Sequence, residues 1–146
     1  MAEEEMNLSN QLCFSIYNAN RLFAKFYQQI LGEYQLTYPQ YLVMLALWEE
    51  DPRNLHELGQ ALHLASNTLT PLLRRLEEAG WLTRVRPAED KRQLVVSLTD
   101  KGQKLKPEIK QKLAHCISDA GGFSRESYQK LLADNHQLIE NLLKLV

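Results

Sequence analysis

The segment from Leu62 to Gly80 constrains the fold more than any other part of the chain. Leu69, Leu72, Leu73 and Leu76 recur at helical spacing and predict an inward-facing stripe. Ser66, Asn67, Thr68 and Thr70 put short hydroxyl and amide groups on the opposite, N-terminal part of the same helix. Arg74 and Arg75 come one turn later, and Gly80 supplies a stop. Short polar side chains at a helix start, with arginines behind them, suit the floor of a DNA major groove. There the early residues reach base edges while the arginines neutralise phosphate. The pattern equally fits an ordinary amphipathic helix whose polar face meets only water.

The residues after Gly80 separate the two readings. Trp81-Leu82-Thr83-Arg84-Val85-Arg86 alternates apolar and polar residues, and Leu94-Val95-Val96-Ser97-Leu98 does so more loosely, so both predict strands. Pro87 to Gln93 between them is too charged to be core and reads as a turn. A helix over Leu55 to Leu62, a turn, the Ser66 helix and then a hairpin with a basic tip make a winged helix-turn-helix. In that fold the second helix occupies the major groove and the wing reaches toward the adjacent minor groove. A mixed-charge hairpin alone is a common solvated feature. The ordered combination is far more specific.

The remaining chain reads as helices around this motif, giving a mainly α fold with a small β-hairpin. Leu8 to Leu31 carries Leu8, Leu12, Ile16, Phe23, Tyr27, Ile30 and Leu31 on one helical face, with Phe14, Tyr17 and Phe26 off it. A long helix that is apolar on more than one side needs a second surface to cover it. Thr37, Pro39 and Gln40 form a capping box for a helix running to about Glu50, and Asn54 with Glu57 signals the next start. The acidic Glu3-Glu4-Glu5 tip is expected to fray. After the wing, Thr99-Asp100 opens a helix to about Asp119, with Pro107 marking a kink or a late start. Gly121-Gly122 interrupts it, and Ser124 caps a last amphipathic helix over Tyr128 to Leu145. The whole chain, 1–146, reads as one domain. Its DNA-binding part spans about 37–99, and the helices of about 6–32 and 100–146 build a dimer. Two-fold symmetry would set the recognition helices about one DNA turn apart, roughly 34–36 Å, on a palindromic operator.

Charge and chemistry narrow the function classes. The net charge of −1 does not announce a nucleic-acid binder, but between Arg53 and Thr99 seven cations face five carboxylates. No apolar run approaches the roughly 18 residues of a membrane span, and the acidic N-terminus does not read as a secretory signal, so a cytoplasmic protein is expected. His56-Glu57-Leu58-Gly59-Gln60 begins like a zinc-protease signature, but Gln60 stands where the second ligand is needed. His56, His63, His115 and His136 share no metal-ligand spacing, and no phosphate loop or nucleophile elbow is present. Neither a metal, nor a cofactor, nor an enzyme is expected. Cys13 and Cys116, reduced at rest in a cytosol, are either inert packing residues or redox-active ones.

Asn10-Gln11-Leu12-Cys13-Phe14, Thr37-Tyr38-Pro39-Gln40-Tyr41, Leu69 through Glu77, and Asp90-Lys91-Arg92 with Ser97-Leu98-Thr99 after it resemble the MarR family of regulators. Within it the chain is similar to the organic-hydroperoxide-sensing branch, the OhrR- and SarZ-like proteins. The resemblance runs from about Asn10 to the last helix. The acidic-x-arginine wing is a broad family feature, whereas the segment around Cys13 paired with that around Tyr38 belongs to the thiol-sensing branch.

The resemblance implies a dimeric repressor that binds double-stranded DNA and lets go when an organic hydroperoxide or another oxidant reacts with Cys13. Tyr27 and Tyr38 of the other subunit would hydrogen-bond that sulfur and favour the thiolate, the form that attacks peroxide. Leu12, Phe14 and Tyr41 would favour greasy peroxides. Cys116 lies where a resolving cysteine lies in two-cysteine members, so an intersubunit disulfide is expected; one-cysteine members use a small thiol instead. Arg92 would line the minor groove with Asp90 holding it, Lys91 beside them, and Arg74, Arg75, Arg84 and Arg86 would contact phosphate. Relatives often carry an acidic residue and a glycine where this chain has Ala65 and Asn67, so capping is expected to fall to Ser66. Two alternatives stand beside this reading. One is a MarR-type repressor released by a small phenolic or aromatic ligand, with structural cysteines. The other is a thiol peroxidase, against which the lack of an enzyme motif argues.

Overall fold

A computed structural model describes residues 3–119 and 124–146. The chain forms two compact units, one ending at Ile109 and one beginning at Lys110. The first holds α1 (Leu12–Leu31), α2 (Tyr38–Glu49), β1 (Arg53–Asn54), α3 (Leu55–Leu62), α4 (Ser66–Glu78), β2 (Leu82–Val85), β3 (Val95–Leu98) and α5 (Asp100–Lys104). It also holds the start of α6 (Lys106–Asp119), and the second unit holds the rest of α6 with α7 (Arg125–Leu143).

The core forms around α2, which buries Tyr41, Val43, Met44, Ala46, Leu47 and Trp48. Its start is fixed reciprocally: the Gln40 N–H donates to Thr37 Oγ1 at 3.3 Å, and the Thr37 N–H donates to Gln40 Oε1 at 3.0 Å. Asn54 Oδ1 accepts from the Glu57 N–H at 2.8 Å and opens α3. Leu58 of α3 and Leu69, Leu73 and Leu76 of α4 are fully buried, with Leu72 only partly so. Gly80 closes α4 with φ +86, a conformation that would strain any side chain. There the Gly80 N–H donates to Glu77 O and the Trp81 N–H to Leu76 O, the paired bonds of a Schellman turn.

The wing is antiparallel, with Leu82 opposite Leu98 and Val85 opposite Val95. β1 adds a third strand on the far side of β3, pairing Arg53 with Val96. This two-residue strand is absent from the sequence reading because nothing so short carries an alternation.

Several boundaries differ from expectation. The first helix begins at Leu12 rather than Leu8, because Glu3–Met6 and Leu8–Asn10 make two separate 3₁₀ turns before it. Asn10 Nδ2 donates to Glu4 O at 2.8 Å, a local side-chain bond that competes with the helix. Ser66 does not cap α4. Ala65 is the extended residue before the helix, its carbonyl accepts from the Thr68 and Leu69 N–H groups, and Ser66 is already helical. The post-wing helix is two helices parted at Leu105, and Pro107 is the second residue of α6, so it marks a start. Ser124 caps α7, its Oγ accepting from the Ser127 N–H at 3.1 Å. Gly121-Gly122 lies outside the described residues.

The exit of α4 is gripped by the start of α5. Thr99 Oγ1 donates to Gly80 O at 2.6 Å, and Lys101 Nζ donates to Ala79 O at 2.8 Å while lying 4.7 Å from the Trp81 ring centroid. Trp48 Nε1 donates to Gly102 O at 2.9 Å, and a Cβ on the buried Gly102 would run into the Trp81 carbonyl. Thr99 N–H already holds that carbonyl, so it cannot retreat. Gly102→Ala would gain up to about 1 kcal/mol of helix propensity but incur overpacking of about 1–3 kcal/mol. Chemical denaturation is expected to show a net loss of stability.

Aromatic rings join α1 to α2. Tyr27 stacks on Tyr38 with centroids 4.6 Å apart and on Tyr41 at 5.7 Å, and Tyr41 meets Trp48 edge-on at 6.2 Å. Burial, then the neighbouring Tyr27 and Tyr38 phenols, push the Tyr41 hydroxyl up to about 12. The protonated phenol is therefore favoured by folding. Its contribution is whole below pH 10 and is lost as pH rises through about 12. Thermal melts from pH 9 upward are expected to show a shallower alkaline decline for Tyr41→Phe than for wild type.

Candidate functional site

The outward face of α4 is polar and largely unoccupied. Ser66, Asn67, Thr68, Thr70, Arg74 and Arg75 are all exposed. At 3.6 residues per turn, Asn67, Pro71 and Arg74 lie opposite the Leu69, Leu73 and Leu76 stripe. Thr70 Oγ1 donates to Ser66 O at 2.7 Å, which turns that hydroxyl back onto the helix. Pro71, inside the helix, has no N–H to give Asn67 O, so that carbonyl also faces outward without its helical donor. Sequence reasoning misses the proline on this face, although its position in the helical pattern is visible.

The wing loop braces itself. Arg86 Nη1 donates to Lys91 O at 3.1 Å. Asp90 Oδ1 accepts from the Arg92 N–H at 3.2 Å and from Arg92 Nε at 3.0 Å, and Gln93 Nε2 reaches Oδ2 at 3.4 Å. The Arg92 side-chain and backbone bonds hold the Asp90 carboxyl below its ordinary range. The Arg92 side chain remains 92% exposed, so the loop presents a fixed cation to whatever approaches.

Arg84, expected at a phosphate, is engaged within the protein by Glu77. Its side chain is only 21% exposed, with Nε and Nη2 donating to Glu77 Oε1 at 3.2 and 3.1 Å. Sequence reasoning also misses Glu77. Its signal is a carboxylate in the last turn of a helix, where the macrodipole disfavours it unless a cation is near.

The thiols lie in different units. Cys13 is the second residue of α1 and is exposed, beside the backbone N–H groups that open that helix. Its Sγ reaches Gln11 Oε1 at 3.9 Å, and Gln11 Nε2 reaches Met6 Sδ at 4.0 Å. Cys116, on α6, is half-buried. Tyr27 and Tyr38 are brought together by their stacking, but not beside the Cys13 of the same chain. Cys13 and Tyr27 both sit on α1, about 21 Å apart at 1.5 Å per residue. Around Cys13 the helix leaves Leu12, Phe14, Ile16 and Tyr17 open to solvent.

A cavity of about 300 Å³ is lined by Leu47, Trp48, Asp51, Leu98, Gln103 and Lys106. Its charged groups already serve the fold: Asp51 Oδ1 accepts from the Leu98 N–H, and Lys106 Nζ donates to Trp48 O. Among the described residues, no three histidine, cysteine or acidic side chains could hold a metal ion, and no helix is long and apolar enough to cross a membrane.

Comparison with known proteins agrees with this arrangement. Residues 25–109 match the family of the transcriptional regulator SarA/Rot. The HTH-type transcriptional regulator TtmR of Methylorubrum extorquens is 42% identical over 130 residues, covering 89% of this chain and 66% of TtmR. The chain thus spans just under two thirds of that relative. The organic hydroperoxide resistance transcriptional regulator of Bacillus subtilis is 45% identical over 103 residues, 70% of each protein. Reduced AbfR bound to DNA, a protein of Staphylococcus epidermidis, superposes with a TM-score of 0.83 at 44% identity, covering 98% of this chain and 99% of AbfR. Disulfide-formed AbfR superposes with a TM-score of 0.68, covering 98% and 94%. The winged helix-turn-helix and the family match over more than half its length place this chain in the SarA/Rot family of MarR-like transcriptional regulators.

Proposed function

We propose that the protein is a cytoplasmic, homodimeric DNA-binding regulator, a repressor that lets go of its operator when Cys13 is oxidised and joined to Cys116 of the other subunit. The observation that carries this reading is the exposed thiol at the start of α1, about 21 Å along the same helix from Tyr27. Two antiparallel copies of α1 related by a two-fold axis would bring each Cys13 opposite the other chain's Tyr27. The Tyr38 ring stacked on Tyr27 would come with it. Neither a single chain nor a parallel pair can do this.

The dimer has a separate support. α1 leaves Leu12, Phe14, Ile16, Tyr17, Leu22 and Phe23 exposed, and α7 has no buried residue along its 19 residues. Most helical stability in proteins comes from packing of an apolar face, and these exposed stripes call for cover. In a two-fold dimer the exposed polar face of each α4 would enter successive major grooves. Arg74 and Arg75 would meet phosphate there, and Arg92 would enter the flanking minor groove.

The chemistry balances with one peroxide. The Cys13 thiolate attacks the distal peroxide oxygen; an S–O bond forms, the O–O bond breaks, and the alcohol leaves with a proton. The Cys116 thiol then attacks the sulfenic sulfur, forming S–S and releasing water. Leu12 and Phe14 beside Cys13 favour an organic peroxide over hydrogen peroxide. The relatives lend weight: one is named for organic hydroperoxide resistance, and AbfR exists in a disulfide form. Overoxidised AbfR still binds DNA and superposes with a TM-score of 0.81, against 0.68 for the disulfide form. The protein then acts once per oxidation event as a switch, not as a catalyst.

Titration of the promoter region of its own gene, before and after cumene hydroperoxide, tests the reading. Oxidant is expected to release wild type but not Cys13→Ser, and Cys116→Ser is expected to stay bound. Release of Cys13→Ser by the oxidant would refute the thiol switch. Tight binding by all three proteins with no response to oxidant would leave a ligand-released regulator in its place.

A further inference from the structure

The geometry points to Glu77 as the residue that positions the wing on the recognition helix, removing Arg84 from the phosphate-binding cations so that Arg92 can be presented. This deepens the DNA-binding reading and rests on it. Glu77 accepts three hydrogen bonds from one residue of β2. The Arg84 N–H donates to Oε2 at 2.7 Å, and its Nε and Nη2 donate to Oε1 at 3.2 and 3.1 Å. The backbone bond matters most, because it fixes the strand itself and not merely a side chain.

The fixed point lies close to the wing loop. Arg84 pairs with Val96 and Val85 with Val95, after which the chain leaves the sheet for residues 86–94. That loop is braced by the Arg86 bond to Lys91 O and by the Asp90–Arg92 pair. A hairpin stiff within itself and tied at one point to α4 transmits the position of that point to its tip. Glu77 is the tie and Arg92, 92% exposed, is at the tip. The location of Glu77 supports a specific task, since a carboxylate in the last turn of a helix opposes the macrodipole. Its partner is a charge-assisted fork rather than a solvated lysine. The exposed cations Arg74, Arg75, Lys91 and Arg92 then remain to meet DNA, while Arg84 serves the protein.

Two readouts separate this role from a general contribution to folding and from a phosphate contact. The probe is a duplex selected by the full-length reduced protein from a random-sequence pool. Glu77→Gln, Arg92→Ala and the double variant are titrated against it, and Arg74→Ala and Arg84→Met are titrated across a salt series. Each of Glu77→Gln and Arg92→Ala is expected to weaken binding. Because both act through the same wing contact, the double variant should be within about twofold of the weaker single variant, a clear departure from additivity. Arg84→Met keeps the backbone N–H bond that ties the strand to Glu77, so it should leave the slope of log affinity against log salt unchanged. Arg74→Ala should make it shallower by roughly 0.9 for each phosphate it no longer neutralises. Multiplying losses in the double variant, or an Arg84→Met slope that falls as the Arg74→Ala slope does, would overturn the proposal. If Glu77→Gln proves poorly folded by circular dichroism, the Arg84→Met slope decides alone. A wild-type protein that enriches no sequence would instead defeat the DNA-binding reading itself.

Discussion

The apolar surface that this chain leaves uncovered is the constraint on which the rest depends. Along α7, Tyr128, Leu131, Leu132, Ile139, Leu142 and Leu143 all remain open to solvent. Full burial of a fully exposed side chain of this size stabilises by about 1.5–3 kcal/mol, and these are about half exposed, so covering the stripe is worth roughly 5–9 kcal/mol. That is comparable with the net stability of a whole domain. A chain with such a surplus is specified as part of a larger core. In the proposed two-fold dimer, covering these helices would hold two recognition helices at a fixed spacing and bring each Cys13 to the other chain's Tyr27.

The DNA-facing surface is built differently, by polar clamps around a small buried centre. Trp81 sits where the recognition helix ends and the wing begins, fully buried, its ring lying under the Lys101 ammonium. Thr99 and Lys101 take the Gly80 and Ala79 carbonyls just past the end of that helix, and Gly102 permits the close approach of α5. Glu77 ties the wing to the helix on the other side. Helix, wing and the start of α5 are therefore one mechanical piece, held by hydrogen bonds that water would otherwise satisfy. Such a piece can move as a body when its support shifts, as the proposed release of DNA by a distant disulfide would require.

Much of this is legible in the order of residues, and the failures have physical causes. The Thr37–Gln40 box, the Asn54 cap and the Gly80 stop are local devices, each using groups within three or four residues, and each is where the sequence puts it. The winged helix-turn-helix is readable because strand alternation comes after a helical stripe at fixed spacing. β1 is not readable, since two residues acquire strand geometry only by pairing with β3. Ser66 has the side chain of a cap, whereas the backbone turns extended one residue earlier, at Ala65. Arg84 looks like its neighbours Arg74 and Arg75 because a sequence does not show which cation faces Glu77. The meeting of Tyr27 with Tyr38 is implied only by family resemblance. It depends on the packing of α1 on α2, which no local signal reports.

The proposed switch belongs to two chains and not to one. Mixed dimers of Cys13→Ser and Cys116→Ser test it most directly, assembled by co-expression with two different tags, oxidised with cumene hydroperoxide and run on a non-reducing gel. Each mixed dimer retains one Cys13 on one chain and one Cys116 on the other. A single bridge is expected, seen as a dimer-sized band carrying both tags, while neither variant alone gives one. Absence of that band, with wild-type chains acquiring a disulfide yet migrating as monomers, would place the bridge within one chain and rule out a switch shared by two.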